Sequence, residues 1–178
     1  MLFEAKSLSN LPIISLDSGK NLGFLNNIII DPENGKIAGV VTQSIAFWKS
    51  PKALAFNDIY EFSIESIVVR DDESLSDISE VIRIKDIVKR KIYILGSKVV
   101  TEFGKNLGRV DDFIINVDLG ILVKIYVESF LSKGYLKGNL IIPANKIILI
   151  EHKKITIKDD TLVEKASKQG VVEEVAST

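Results

Sequence analysis

The sequence predicts a mainly β protein, two small β-barrels in tandem joined by a short helix. Three observations carry this. One stretch of the chain recurs 85 positions further on. Each copy reads as short apolar strands punctuated by turn residues, and between the copies an acidic run passes into a basic one at helical spacing.

The repeat comes first, because it organises everything else. Gly19-Lys20-Asn21-Leu22-Gly23 recurs unchanged as Gly104-Lys105-Asn106-Leu107-Gly108. The same offset sets Ile29-Ile30 on Ile114-Ile115, Gly35 on Gly120, and Ile37, Val40 and Val41 on Leu122, Ile125 and Tyr126. After a slip of three residues, Ile59 to Asp72 aligns with Ile147 to Asp160. A five-residue identity alone is weak, but one held in register over two further blocks marks a duplication.

In the first unit Ile13 to Leu16 reads as a strand and Asp17-Ser18-Gly19-Lys20 as a turn. Leu22 to Asp31 is a second strand, Pro32-Glu33-Asn34-Gly35 a turn, and Lys36 to Ser44 a third strand. Ile59 to Phe62 and Ile64 to Arg70 add two more. The second unit repeats the pattern in Val99 to Thr101, Val110 to Val117, Leu122 to Glu128, Leu140 to Ile142, Ile147 to Ile150 and Ile155 to Ile157. So few short strands cannot bury both faces of an open sheet, whereas curling into a barrel removes the edges and makes one core.

Between the units, Asp71 to Glu80 is acid-rich and Arg83 to Lys91 base-rich. Asp77 with Glu80 fits a capping box, and Val81, Ile84, Val88 and Ile92 recur at helical spacing. Acids first and bases last also complement a helix dipole. A helix is therefore expected from residue 77 to about 91. The resulting boundaries are a first barrel over 1–72, a connector over 73–95, a second barrel over 96–160 and a frayed tail over 161–178.

Composition narrows the function. The chain has 178 residues, 23 basic against 24 acidic side chains, no cysteine and one histidine, His152. Near-neutral charge disfavours a whole-surface attraction to nucleic acid or anionic lipid. Without cysteine there is no thiolate nucleophile, zinc–thiolate site or iron–sulfur cluster. Met1 to Lys6 lacks the basic and apolar runs of a signal peptide, and the Ile37 to Trp48 stretch is too polar to span a membrane, so a cytoplasmic location is expected.

At the repeated residues the sequence resembles the PRC-barrel family, found in the cytoplasmic domain of the photosynthetic reaction-centre H subunit and the C-terminal domain of a 16S rRNA maturation factor. The family pattern, an opening apolar strand, G-x-x-L/I-G and a strand of the type V-x-D-x-x-I-D, stands here as Ile13-Ile14, Gly19 to Gly23 and Ile28 to Asp31. It recurs as Val99-Val100 and Gly104 to Asn116. The later I-P-x-x-x-I element is Ile142-Pro143-Ala144-Asn145-Lys146-Ile147, which the first unit matches without proline as Ala55-Phe56-Asn57-Asp58-Ile59. The resemblance implies an adaptor or assembly module and carries no catalytic residues with it.

Each candidate site has a structural reading beside its functional one. The two Gly-Lys-Asn-Leu-Gly segments run from strand to strand, not from strand to helix as a nucleotide loop requires, so Gly19, Gly23, Gly35, Gly104, Gly108 and Gly120 are read as structural turns. The pairs Asp71-Asp72, Asp111-Asp112 and Asp159-Asp160 cannot converge from a strand without help from elsewhere, and no metal site is expected. His152, alone between two strands, is a hairpin residue.

More informative is an aromatic–lysine segment at the same place in both units. It holds Phe47, Trp48, Lys49 and Lys52 in the first, and Phe130, Tyr135 and Lys137 in the second. Either Phe47 and Phe130 plug their barrel ends, with Trp48 or Tyr135 half exposed, or the segments form a partner-binding lip. Exposed aromatics beside cations are what interaction hot spots use. The basic helix end, Arg83, Lys85, Lys89, Arg90 and Lys91, is either a solvated face or a phosphate-binding patch. The expectation is a non-enzymatic adaptor without cofactor that binds a protein partner through barrel-end loops. An RNA- or ribosome-associated factor is the alternative. The two barrels are expected to pack about a pseudo-twofold axis, or to pair with a second chain as a homodimer.

Overall fold

The computed structural model describes residues 1–43, 50–129, 139–159 and 164–165. Strand β1 (Leu2–Glu4) and a 3-10 turn (Lys6–Leu8) lead into β2 (Pro12–Ser15), β3 (Asn21–Ile30), β4 (Ile37–Gln43) and β5 (Lys52–Ala55). A 3-10 turn (Phe56–Asp58) precedes β6 (Ile59–Phe62) and β7 (Ile67–Val69), and another (Asp72–Ser74) precedes β8 (Ser76–Asp77) and the helix α1 (Ile82–Lys89). The second half comprises β9 (Lys98–Thr101), β10 (Asn106–Asn116), β11 (Ile121–Glu128), β12 (Asn139–Pro143), a 3-10 turn (Ala144–Lys146), β13 (Ile147–Glu151), β14 (Lys154–Ile157) and β15 (Glu164–Lys165).

The strands form two sheets of the same design. One has the order β6-β7-β2-β3-β4-β5-β8, the other β13-β14-β9-β10-β11-β12-β15. In each, the opening strand pairs antiparallel with the long strand after it and parallel with the last strand of its unit, β2 with β7 and β9 with β14. The long hairpins even carry the same bulge, at Asn26 between paired Leu25 and Asn27 and at Asp111 between paired Val110 and Asp112. One detail departs from an ungapped alignment. Ile13 faces Gly23 whereas Val99 faces Gly108, so the loop after the opening strand is one residue shorter in the second half.

The fold is mainly β, as expected, but the expected tandem pair of closed barrels is a finer matter. Among the described residues each hydrogen-bonded path has two ends, β6 with β8 and β13 with β15. The buried side chains of both sheets, from Ile13 and Leu25 to Ile125 and Ile155, belong to one continuous apolar cluster.

Two boundaries shift for physical reasons. Leu2, Phe3 and Glu4 pair antiparallel with Asn116, Ile115 and Ile114, so the N-terminal strand is part of the second sheet although it precedes the first. Phe3 stacks on Phe62 at 6.0 Å and Lys6 donates its backbone N–H to Asp112, which makes this crossing a clamp across both sheets. The helix begins at Ile82 rather than at residue 77, because Ser76 and Asp77 pair with Ala53 and Lys52 at the edge of the first sheet. The Glu80 carboxylate does reach back to the Asp77 N–H at 3.2 Å, closing a turn ahead of the helix instead of capping it. Residues of the expected connector therefore pack on the first sheet. Ile84 and Ile87 are fully buried, and Ile84 lies over Gly39 of β4, where a Cβ would come within 2.7 Å of its Cδ1 and overlap the Leu54 carbonyl. Lys124 stands in that place in the second half, where the described residues include no α-helix.

Candidate functional site

The long hairpins meet at their turns. Ile37 donates its N–H to the Gly120 carbonyl at 2.8 Å, and Leu122 donates to the Gly35 carbonyl at 2.9 Å. Lys36 and Ile121 form an antiparallel bridge between these bonds. Because residues 35 and 37 correspond to 120 and 122, the joint has a local twofold symmetry. Gly35 at φ +70° and Gly120 at φ +63° occupy left-handed turns that a Cβ disfavours. From this joint β4 and β11 leave in opposite directions, and each leads into the connection that carries the aromatic–lysine segment.

Phe47, Trp48, Lys49, Phe130, Tyr135 and Lys137 lie outside the described residues. What the structure does place is Lys52. Its ammonium pairs with Asp77 at 2.8 Å and its backbone N–H donates to the Thr42 hydroxyl at 3.2 Å. It ties β5 to β8 at the edge of the first sheet, with its side chain still partly exposed.

The basic segment is divided by the structure. Arg83 is not part of a free patch. Its guanidinium donates through Nε and Nη2 to the two Asp31 oxygens at 2.8 and 2.5 Å, and Nη2 also meets Glu33 at 3.1 Å. Asp31 is mostly buried and also accepts the Glu33 N–H at 2.9 Å. The Arg83 fork holds the Asp31 carboxyl below its ordinary range, against the opposing effect of burial, and Asp31 in turn raises Arg83. Arg90 lies 3.5 Å from Asp86 one turn back. Lys85, Lys89 and Lys91 are exposed, and Lys91 at φ +51° ends the helix as Ile92 N–H bonds back to the Ile87 carbonyl.

Two of the acidic pairs are used within the fold; Asp160 of the third lies outside the described residues. The Lys6 ammonium pairs with Asp111 at 2.5 Å, which raises its pKa, while buried Asp112 accepts the Lys6 and Phe113 N–H groups at 3.1 and 2.8 Å. Asp72 accepts the Ser18 hydroxyl at 2.6 Å and the Lys20 ammonium at 3.0 Å, and these donors together with Ser15 lower its pKa to about 2. Asp71 accepts the Ser74 hydroxyl at 2.9 Å. His152 sits in the β13–β14 turn with Nδ1 3.1 Å from the Lys91 carbonyl. Among the described residues no three acidic or histidine side chains gather as a metal ligand set.

Gly19 and Gly104 lie in left-handed turns at φ +66° and +84°. Gly23 and Gly108, expected in turns, stand instead inside β3 and β10. Gly108 at φ +141° lies against the Glu128 carbonyl, leaving no room for a Cβ, whereas a Cβ at Gly23 would meet the Gln43 carbonyl at 3.0 Å without a left-handed φ.

The family model for the PRC-barrel domain matches residues 1–95. The chain belongs to the PRC-barrel family. The match takes in β1 to β8 and α1, in keeping with a helix that packs on the first sheet of the PRC-barrel protein. No curated protein matches the chain.

Residues that the repeat alone did not single out also shape the joint. Phe3 and Lys6 clamp the two sheets, and Gly39 admits the helix. Phe56 covers Gly120, where its second-half counterpart is Ala144. That mismatch was readable in the aligned I-P-x-x-x-I elements, whereas the crossing of β1 had no periodic signal. Among the described residues no helix is long and apolar enough to cross a membrane.

Proposed function

We propose that the chain is a tandem PRC-barrel adaptor, non-enzymatic, in which the second half is a barrel of the same kind as the first. It binds a protein partner through the β4–β5 and β11–β12 connections. One observation carries the reading. The two aromatic–lysine segments occupy the same connection in two sheets of the same strand order, and β4 and β11 run to them in opposite directions from a shared joint. A scaffold that carries one motif twice, at the ends of strands that leave a shared joint in opposite directions, suits bridging better than enclosing a substrate. Trp48 and Tyr135 supply the apolar anchors, with Lys49 and Lys137 at their rim.

Engagement of Arg83 by Asp31 and Glu33 favours this reading over RNA binding through the α1 segment. Capture of partners from native lysate, with and without nuclease, tests it. Trp48→Ala and Tyr135→Ala should each lower capture severalfold while circular dichroism stays unchanged, and nuclease should make no difference. Capture lost on reversing Lys85, Lys89 and Lys91, and abolished by nuclease, would establish the RNA-associated alternative.

A further inference from the structure

The twofold joint creates two grooves, one beside each glycine turn, and the described residues fill only one of them. On the filled side a Cβ built on Gly120 would come within 2.7 Å of Phe56 Cε1, so the ring lies directly over the glycine. On the other side no described residue stands within 4 Å of a Cβ built on Gly35. The difference traces to one residue. Phe56 and Ala144 each open the 3-10 turn ahead of the last hairpin, so the second half carries a methyl group where the first carries a ring. In place of that ring lies a groove of about 320 Å³ between the Asn34-Gly35 turn and Ile147, Ile148 and Ile150, with Leu122 and Ala144 at its base.

We propose that this groove is a socket for a phenylalanine side chain carried by an extended segment of another protein. The chain provides its own template, because the matching groove is already occupied by a phenylalanine ring. Ile147, Ile148 and Ile150 form one wall, and Asn34, Glu33 and Asn145 lie at the other edges. Ile148 is 48% exposed, with Leu149 next to it at 45%. The groove's single carboxylate, Glu33, is already held by Arg83 at 3.1 Å, so no unpaired charge lines the groove and a neutral ring lying on the isoleucine wall fits it. Among the described residues strand β13 ends its hydrogen-bonded path, so an extended segment can run along it while its side chain enters the groove. The proposal uses no residue of the β4–β5 and β11–β12 connections and stands or falls independently of them.

Blocked tripeptides, acetyl-Ala-Phe-Ala-amide and its leucine and lysine counterparts, can be titrated into the full chain with isoleucine methyl groups labelled for NMR. The phenylalanine peptide should shift Ile121, Ile147, Ile148 and Ile150, at least tenfold more tightly than the lysine peptide. Ala144→Phe, which copies the filled groove, should abolish these shifts without lowering the melting temperature. Should that variant fail to fold, Ile148→Glu at the exposed rim makes the same test. Phe56→Ala should open a second site and add shifts at Ile37 and Ile59. Absence of shifts at millimolar peptide, or shifts unaltered by Ala144→Phe or Ile148→Glu, would overturn the proposal. So would a dimer in sedimentation equilibrium that Phe103→Ala dissolves, since the groove would then receive a second copy's exposed ring.

Discussion

Ile37 gives its N–H to the carbonyl of Gly120, 2.8 Å away across the boundary between the two sheets. Its symmetry counterpart, Leu122, does the same for Gly35 at 2.9 Å. Each turn thus satisfies a backbone group of the other repeat, and the two halves of the duplication are joined by corresponding turns.

The two turn glycines should differ in how they tolerate a side chain. Both are left-handed, so alanine at either costs about 1 kcal/mol from backbone conformation. At Gly120 a Cβ also strikes the Phe56 ring, whereas at Gly35 it meets open space. Gly120→Ala is therefore expected to lower the urea midpoint clearly more than Gly35→Ala, and equal midpoints would contradict the filled-groove geometry.

Within the strands the expectation is similar but has a different cause. Gly108→Val drives a side chain into the Glu128 carbonyl from a left-handed backbone and should destabilise by about 2–4 kcal/mol. Gly23→Val meets only the Gln43 carbonyl and should cost less than half as much. Thermal melts of the two variants rank them directly.

Phe3 tests the clamp. It is 9% exposed and stacks on Phe62 while its strand pairs with β10. Phe3→Ala should cost about 2–4 kcal/mol, near the low end for a buried ring because it lies at a sheet edge. Hydrogen exchange at Ile114 to Asn116 should accelerate in the same variant, and unchanged exchange there would show that β1 is dispensable.

Acid should weaken the fold in a defined window. Asp31 and Asp72 both have folded pKa values below their ordinary 3.8, and that of Asp72 is about 2. A carboxylate with a depressed pKa binds its proton more readily in the unfolded chain, so the stability it adds is present above pH 3.8 and lost as pH falls toward 2. The melting temperature should drop over that interval, and Asp31→Asn should flatten the drop. At Asp72, which is exposed, the same effect should shrink in added salt.

Much of the architecture was legible because the duplication is in the sequence itself. Gly19 to Gly23 and Gly104 to Gly108 locate two copies of one hairpin start, and the alternating apolar residues around them require strands. The Pro143 position also carries over. Ala55 adopts φ −68° where Pro143 has −62°, so the first unit makes the same bend without the ring that enforces it. The candidate site was less legible. Arg83 looked like one of five equivalent cations, since sequence distance hides Asp31, and Lys52 looked like part of a loop because its partner Asp77 was read as a helix cap.

By itself, then, the sequence determined local matters: strand periodicity, the turns whose glycines need a left-handed backbone, the repeat, and the absence of thiol chemistry. These are set by a residue and its near neighbours, and they survive any long-range arrangement. Only the tertiary structure decided that β1 joins the far sheet, that α1 starts at Ile82, that Arg83 is bound by Asp31, and that Ala144 leaves open the groove its counterpart Phe56 fills. Each of these depends on which backbone edge or charge lies within a few ångströms after the chain has crossed itself. Hydrogen bonds and side-chain contacts act at that range, whatever the separation along the sequence.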